Sequence, residues 1–324
     1  MQSYQIIMKK KIPALIVFIL ISCFTAHCQD SLLVMFWNVE NFFDHIDGGT
    51  GDSDKEFSSM GSRHWTKKRF YTKCDAVAKS ILWIGDRYGR MPDLIGLAEV
   101  ENRGVLAKIL RSTALRKYDY EIIHHDSGDR RGIDVAIMYR RSSMSPEAIS
   151  LKTPEYEGER LATRDILHAG MCLADSSRLD FIVNHHPSKY GGEKESRGRR
   201  EAAMKALKEL ADSLGNENVI AMGDFNDTPD ASSFGIIGGT LENLGLQLHE
   251  RGEGTIRYEG KWDLIDMFMV SPRLSGRAVM EVCRIPFLMT WERKHPGEKP
   301  LRTYSGPRYI GGVSDHCPII LRLN

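Results

Sequence analysis

A short apolar run that stops abruptly in acids and amides constrains this chain more than any other feature. Ile220, Ala221 and Met222 lead into Gly223-Asp224-Phe225-Asn226-Asp227. An apolar run this short, bounded by turn residues, reads as a buried strand. Such a strand carries an acid and an amide to its tip. Turn chemistry alone often puts Asp or Asn at a strand end. Here, however, the arrangement recurs. Phe36-Trp37-Asn38-Val39-Glu40-Asn41 ends the first strand candidate, Leu97-Ala98-Glu99 ends another, and Trp262-Asp263-Leu264-Ile265-Asp266 is a fourth. Val313-Ser314-Asp315-His316 stands at the entrance to the last apolar run. Acids, amides and a histidine at several strand ends suit a hard cation, which wants oxygen ligands, and a phosphate, which wants positioned donors.

Strands are expected over 32–38, 93–99, 118–125, 133–139, 166–173, 179–184, 219–222, 263–270, 279–285 and 318–323. Helical spacing over 65–88 places Phe70, Cys74, Val77, Ile81 and Ile84 on one face. A second helix is expected to follow Asn102 as its cap and run to about residue 116. A third, over 195–214, turns Ala203, Leu207, Leu210 and Leu214 inward. Many strands, few long helices and frequent hairpins predict two sheets packed face to face with helices outside. Residues 284–312, polar and marked by Pro and Gly, read as a long loop before the last strand.

The first residues are expected to lie outside the fold. Lys9-Lys10-Lys11 and the apolar stretch 12–21 have the form of a secretory signal peptide over 1–28, and the stretch is too short for a comfortable membrane span. Leu20-Ile21-Ser22-Cys23 also has the form of a lipobox, so Cys23 is a candidate lipid anchor. The expected product is periplasmic or secreted, with one folded domain over 29–324, no integral membrane span and a monomeric state. The whole chain has 44 basic and 43 acidic residues, and removing 1–28 takes away three lysines, so the mature chain would have 41 − 43 = −2. No global positive field draws it to nucleic acid, although a local patch would suffice. Cys74, Cys172, Cys283 and Cys317 lack CxxC spacing and argue against a zinc site.

Seven motifs now stand in one order: Trp37-Asn38-Val39-Glu40-Asn41, Ala98-Glu99-Val100-Glu101-Asn102, Arg131-Gly132-Ile133-Asp134, Asn184-His185-His186-Pro187-Ser188, Gly223-Asp224-Phe225-Asn226-Asp227, Asp263-Leu264-Ile265-Asp266 and Ser314-Asp315-His316. The set resembles the endonuclease/exonuclease/phosphatase superfamily, the DNase I-like fold. That resemblance implies an α/β fold, a four-layer sandwich of two mostly antiparallel sheets flanked by helices. It implies hydrolysis of a phosphoester, with nucleic acid among the candidate substrates, assisted by Mg²⁺ or Mn²⁺. Carried over by position, Glu99 is the principal metal ligand, and Asn38 supports the metal or the phosphate. Asp224 orients or deprotonates the attacking water, and Asn226 contacts the phosphate. His316 stabilises the charged phosphorane, held by Asp266 or Asp315. His185 hydrogen-bonds the phosphate or protonates the leaving group.

Each residue also has a plainer reading. Asn38 and Asp224 suit turns, and Glu99 complements the helix that follows it. Glu40 reads equally as a second metal ligand or a surface acid. Adjacent His185 and His186 face opposite sides of a strand, so only one enters the site. Asp134 reads as an acid paired with an arginine or as a catalytic group. Asp263 and Asp266, three apart, should face opposite ways, and Asp266 is taken as the first candidate partner of His316. Arg130, Arg131 and Arg164 are candidate phosphate clamps. The same superfamily includes phosphomonoesterases and sphingomyelinase-like lipid phosphodiesterases, and a non-catalytic surface binding module is the alternative outside it.

Overall fold

Strand β1 (Leu32–Phe42) sets the layering of the molecule. Its side chains alternate, as a pleated strand requires. Leu32, Val34 and Phe36 enter one core, while Leu33, Met35, Trp37 and Val39 enter another. The computed structural model describes residues 32–49, 51–189, 191–215 and 217–324, so the expected leader and Cys23 lie outside the described residues.

Eleven further strands complete two sheets. They are β2 (Leu94–Val100), β3 (Tyr120–His124), β4 (Asp134–Arg140), β5 (Met144–Lys152), β6 (Ile166–Leu173) and β7 (Arg178–His185). After them come β8 (Val219–Asp224), β9 (Glu242–Asn243), β10 (Asp266–Val270), β11 (Ala278–Val282) and β12 (Ile319–Leu323). The first sheet runs β11-β12-β1-β2-β4-β3 and the second β9-β10-β8-β7-β6-β5. In each, only the central pair is parallel, β1 with β2 and β7 with β8. A parallel pair needs a long crossover. Helix α1 (Lys67–Tyr88) supplies the first and α3 (Glu193–Ser213) the second. Helix α2 (Arg103–Ser112) follows β2 and is capped by Asn102, whose side chain accepts from the Val105 N–H at 3.0 Å.

The sheets meet over the core that holds Phe36, Phe181, Met222 and Phe268. Contact is close there: a Cβ added at Gly96 would lie 2.6 Å from Met222 Sδ and 3.2 Å from Phe36. The outer face of the first sheet packs on Phe70, Cys74, Val77, Ile81 and Ile84 of α1 and on Leu106 and Ile109 of α2. Met204, Leu207 and Ala211 of α3 join the other core. This is the expected sandwich of two mixed sheets flanked by a few helices.

Two expectations change, and one strand was not foreseen. Residues 263–270 are not one strand: Lys261–Asp263 pairs in a separate hairpin, and β10 begins only at Asp266. Asp263 therefore leaves the sheet and meets Lys261 at 3.2 Å. Segment 284–312 is not an unstructured loop. It carries a hairpin, Met289–Glu292 with Gly297–Pro300, and a second pair, Tyr304–Ser305 with Arg308–Tyr309. Tyr304 and Tyr309 pack on Trp65, and the Arg69 guanidinium lies 4.2 Å over the Tyr309 ring. The edge strand β5, broken by a bulge between Pro146 and Ala148, gave no sequence signal because most of it is exposed. All four cysteines from Cys74 on are free, and Cys74, Cys283 and Cys317 are buried. Among the described residues no helix is long and apolar enough to cross a membrane.

Candidate active site

The carboxyl ends of the two parallel pairs come out at one edge of the sandwich, the usual place for a site in an α/β sheet. Asn38 and Glu40 end β1, Glu99 lies near the end of β2, and His185 and Asp224 close β7 and β8. The antiparallel strands β10 and β12 begin at the same edge, and bring Asp266 and His316. In the second sheet Asp224 is in register with His185 on one side and Asp266 on the other. The Asn38 Nδ2 donates across the sandwich to Asp224 Oδ2 at 3.0 Å.

Local backbone irregularity aims these groups. The ladder slips between Asn38 and Phe42 and again between Ala98 and Val100. Bulges of this kind redirect side chains at sheet ends. Glu40, Asn41, Glu99 and Asn226 all take the left-handed conformation, with φ of 49°, 45°, 64° and 52°. They are four of the eight non-glycine residues with positive φ among those described. Such strain gathers where a site over-determines the backbone.

Glu99 is held by one oxygen. Its Oε2 accepts from the Asn41 N–H at 2.7 Å, while Oε1 has only the Arg131 guanidinium at 3.5 Å and His185 Nε2 at 4.0 Å. Glu40 is engaged at both oxygens: Oε2 takes the Thr303 N–H at 2.7 Å and Oε1 the Arg302 guanidinium at 3.0 Å. Burial, and after it the Asp315 charge, pushes the Glu40 carboxyl up to about 7. Arg302 also reaches Asp315 at 3.2 Å. With Glu99 and Asn38 offering oxygen and no thiolate nearby, the cleft fits a hard divalent cation.

Asp224 is buried. Its Oδ1 accepts from the Asn226 N–H at 2.9 Å, and His185 Nε2 lies 3.4 Å from Oδ2. Burial, and next the Asp266 charge, raises its carboxyl to about 7. His316 Nδ1 is 2.8 Å from Asp266 Oδ2. Burial pulls the His316 pKa down, but Asp266 and then Asp224 outweigh it and hold the ring well above 6.5. Asp315 stands farther off, 3.9 Å from His316 Nε2. Trp37 Nε1 donates to the His316 carbonyl at 2.9 Å, and Ser314 Oγ to the Asn38 carbonyl at 2.6 Å, which fixes the final strand entrance to β1.

His185 and His186 part as strand geometry demands. The His185 ring turns toward Asp224; the His186 ring packs edge-on against Phe225 at 4.9 Å. Burial, and then Arg164, holds the His185 pKa well below 6.5. The Asn226 side chain donates to the His186 carbonyl at 3.0 Å. Arg164 is buried and spends its terminal nitrogens on Asp129 at 3.0 Å and the His186 carbonyl at 2.7 Å. Arg131, 39% exposed, is the guanidinium that faces Glu99. Among the described residues Asp134 pairs with no arginine; it accepts from the Ser127 N–H at 2.9 Å and lies 3.3 Å from His124.

Two groups at this edge escaped the sequence reading. Arg302 sits in a segment without periodicity, which offered no sign that it would fold back onto Glu40. Lys73 did leave a trace, a lysine beside Cys74 on an apolar helix face. It is fully buried, donates to the Glu40 carbonyl and lies 3.0 Å from Thr303 Oγ1.

The sequence model of the endonuclease/exonuclease/phosphatase family matches residues 33–324. The chain belongs to that family. Among solved structures it is similar to a family member from Bacteroides thetaiotaomicron, at 17% identity and a TM-score of 0.58, over 90% of this chain and 97% of that one. It is similar also to the mannosyl-6-phosphatase of the same organism, at 16% identity and a TM-score of 0.57, over 90% and 99%. A third is TDP2 of D. rerio complexed with a single-strand DNA product, at 15% identity and a TM-score of 0.52, over 91% and 99%. At these identities the likeness shows the fold. No curated protein matches. Members of the family are phosphoester hydrolases, and the site described above lies within the matched residues.

Proposed function

We propose that this chain is an exported hydrolase of phosphoesters that uses a divalent cation and an activated water, with a phosphodiester, nucleic acid included, as the first substrate to test. The observation that carries the reading is the row His185–Asp224–Asp266 of one sheet, bonded through Asp224 to Asn38 of the other, with Glu99 and His316 beside it.

Asp224 takes the proton of the attacking water. A carboxyl raised to about 7 is still ionised in a useful fraction at neutral pH and is far more basic than a surface aspartate. The Asn38 amide and Asn226 N–H fix its two oxygens, so only its remaining lone pairs point at the water. His316, protonated through Asp266, donates to a phosphate oxygen as charge builds there. His185 is neutral at working pH, so it orients the phosphate by a hydrogen bond and does not protonate the leaving group. Arg131 contacts the phosphate from the open side, whereas buried Arg164 holds the chain around His186. Glu99 and Asn38 would hold Mg²⁺ or Mn²⁺, which supplies a Lewis acid for the phosphoryl oxygen when bound. Glu40 braces Arg302 and Thr303, and Asp315 shares Arg302.

A second reading, a phosphomonoesterase of a hydroxyl-rich substrate, has one observation in its favour. A cavity of about 400 Å³, lined by Asp44, Asp54, Glu101, Asp126, Asp129 and Asp134, lies beside the residues that follow Glu99 and Arg131. Such a wall repels a polyanion and accepts hydrogen bonds from hydroxyls. Parallel assays on plasmid DNA, bis-para-nitrophenyl phosphate, a sugar phosphate and a phospholipid separate the readings. Exhaustive EDTA dialysis should abolish turnover and Mg²⁺ or Mn²⁺ should restore it; full activity in the dialysed protein would sink the proposal.

A further inference from the structure

The acidic cavity has a corner that the proposed reaction does not use. His124 ends β3 and is in register with Ala136 of β4, so its ring shares a face with Asp134, two residues away. His124 Nε2 lies 3.3 Å from Asp134 Oδ2, and Nδ1 lies 3.8 Å from Asp126 Oδ1. One ligand atom from each of the three residues falls within 4.8 Å of the others. The His124 side chain is 2% exposed, yet its Nε2 has no hydrogen-bond partner. Buried ring nitrogens are almost always partnered, so an orphan asks for a ligand.

The spacing suits a metal better than a hydrogen bond. Bonds of about 2.0–2.2 Å in a tetrahedral set separate ligand atoms by roughly 3.3–3.5 Å. The 3.3 Å contact between His124 and Asp134 has that separation and fails as a hydrogen bond. Asp134 is already aimed, because its other oxygen accepts the Ser127 N–H at 2.9 Å. Asp126, 87% exposed, is free to swing in. No lysine or arginine lines the cavity among the described residues.

We propose that His124, Asp126 and Asp134 form a second divalent-cation site on the cavity wall, independent of Glu99 and suited to Zn²⁺ or a similar first-row ion. An imidazole with two carboxylates favours such ions over Ca²⁺ or Mg²⁺, which take oxygen alone. With three protein ligands the fourth position is left to water or a substrate oxygen. The site ties the ends of the 125–133 turn, which carries Arg131 to Glu99. Its occupancy therefore sets where that guanidinium stands.

Co²⁺ is the probe, since its visible d–d bands report tetrahedral nitrogen and oxygen ligands. The titration is run on Glu99→Gln, to remove the cleft's own ligand, and on the same chain with His124→Gln or Asp126→Asn added. The expected result is one Co²⁺ equivalent with visible bands and a raised Tm, and at least a tenfold loss of affinity in each double variant. Asp126 is exposed, so Asp126→Asn leaves the fold intact and decides the matter if His124→Gln fails to fold. No bound equivalent, which would mean a bare ion pair, or bands that survive Asp126→Asn, would overturn the site.

Discussion

Asp266 governs His316, and the sign of its effect can be tested. Its charge is the strongest pull holding the ring above 6.5, against burial. Activity that needs protonated His316 should persist below that raised pKa and fall as pH rises through it. Asp266→Asn removes the pull, so the alkaline limb of kcat/KM should move to lower pH. An unmoved limb would separate His316 from the reaction. His316→Ala should lower kcat by about 10²–10³, the usual loss for one preorganised donor, with an unchanged circular dichroism spectrum. His186 behaves in the opposite way. Buried against Phe225, it is held down at about 3, with burial the largest cause. Its depressed pKa leaves stability intact above about 6.5, and that contribution is lost as pH falls toward 3. His186→Phe should flatten stability against pH across that window by up to about 1.4 kcal/mol per pH unit, read from urea midpoints. Much of this was legible one residue at a time. The acids and amides at strand tips, and the parting of His185 from His186, follow from strand periodicity; the family resemblance selected His185. The employment of Glu40 and Arg164 was not, because a charged side chain's partners come from segments far away in sequence.

At the scale of the element, Gly223 shows how tightly β7 and β8 are joined. A Cβ there would lie 2.4 Å from the Asn184 carbonyl oxygen and 2.9 Å from Asn184 Cβ. Gly223→Ala should therefore destabilise the protein by about 1–3 kcal/mol, as overpacking does, and displace His185 from Asp224. Thermal melting and steady-state kinetics check both. The long elements declared themselves in sequence: α1, α2 with its Asn102 cap, and the apolar strands. Short pieces did not. The pair Tyr304–Ser305 and Arg308–Tyr309 is held by Trp65 and Arg69 from elsewhere, which no local pattern could announce. Leu264 and Ile265, apolar and buried, disguised the break between Asp263 and Asp266 as strand.

The whole molecule, if processed after residue 28, has no positive excess to offer a polyanion: its net charge is −2. The salt dependence of substrate binding should accordingly be shallow. A log–log slope of the size expected for about six or more phosphate contacts would point to a dedicated duplex nuclease. The two-sheet sandwich was readable because hairpins and long amphipathic helices leave few other ways to cover both sheet faces. Which edge carries the chemistry was readable only through the motifs. The left-handed backbone at Glu40, Asn41, Glu99 and Asn226 has a further consequence for anyone improving this protein. Glycine takes that conformation freely, so replacing these residues relieves strain while deleting the Glu99 carboxylate and the side chains that brace the cleft. A library screened for heat resistance alone should drift toward glycine at Glu99 and Asn226 and accumulate sturdy, inert proteins. Selection must therefore score turnover in the same round.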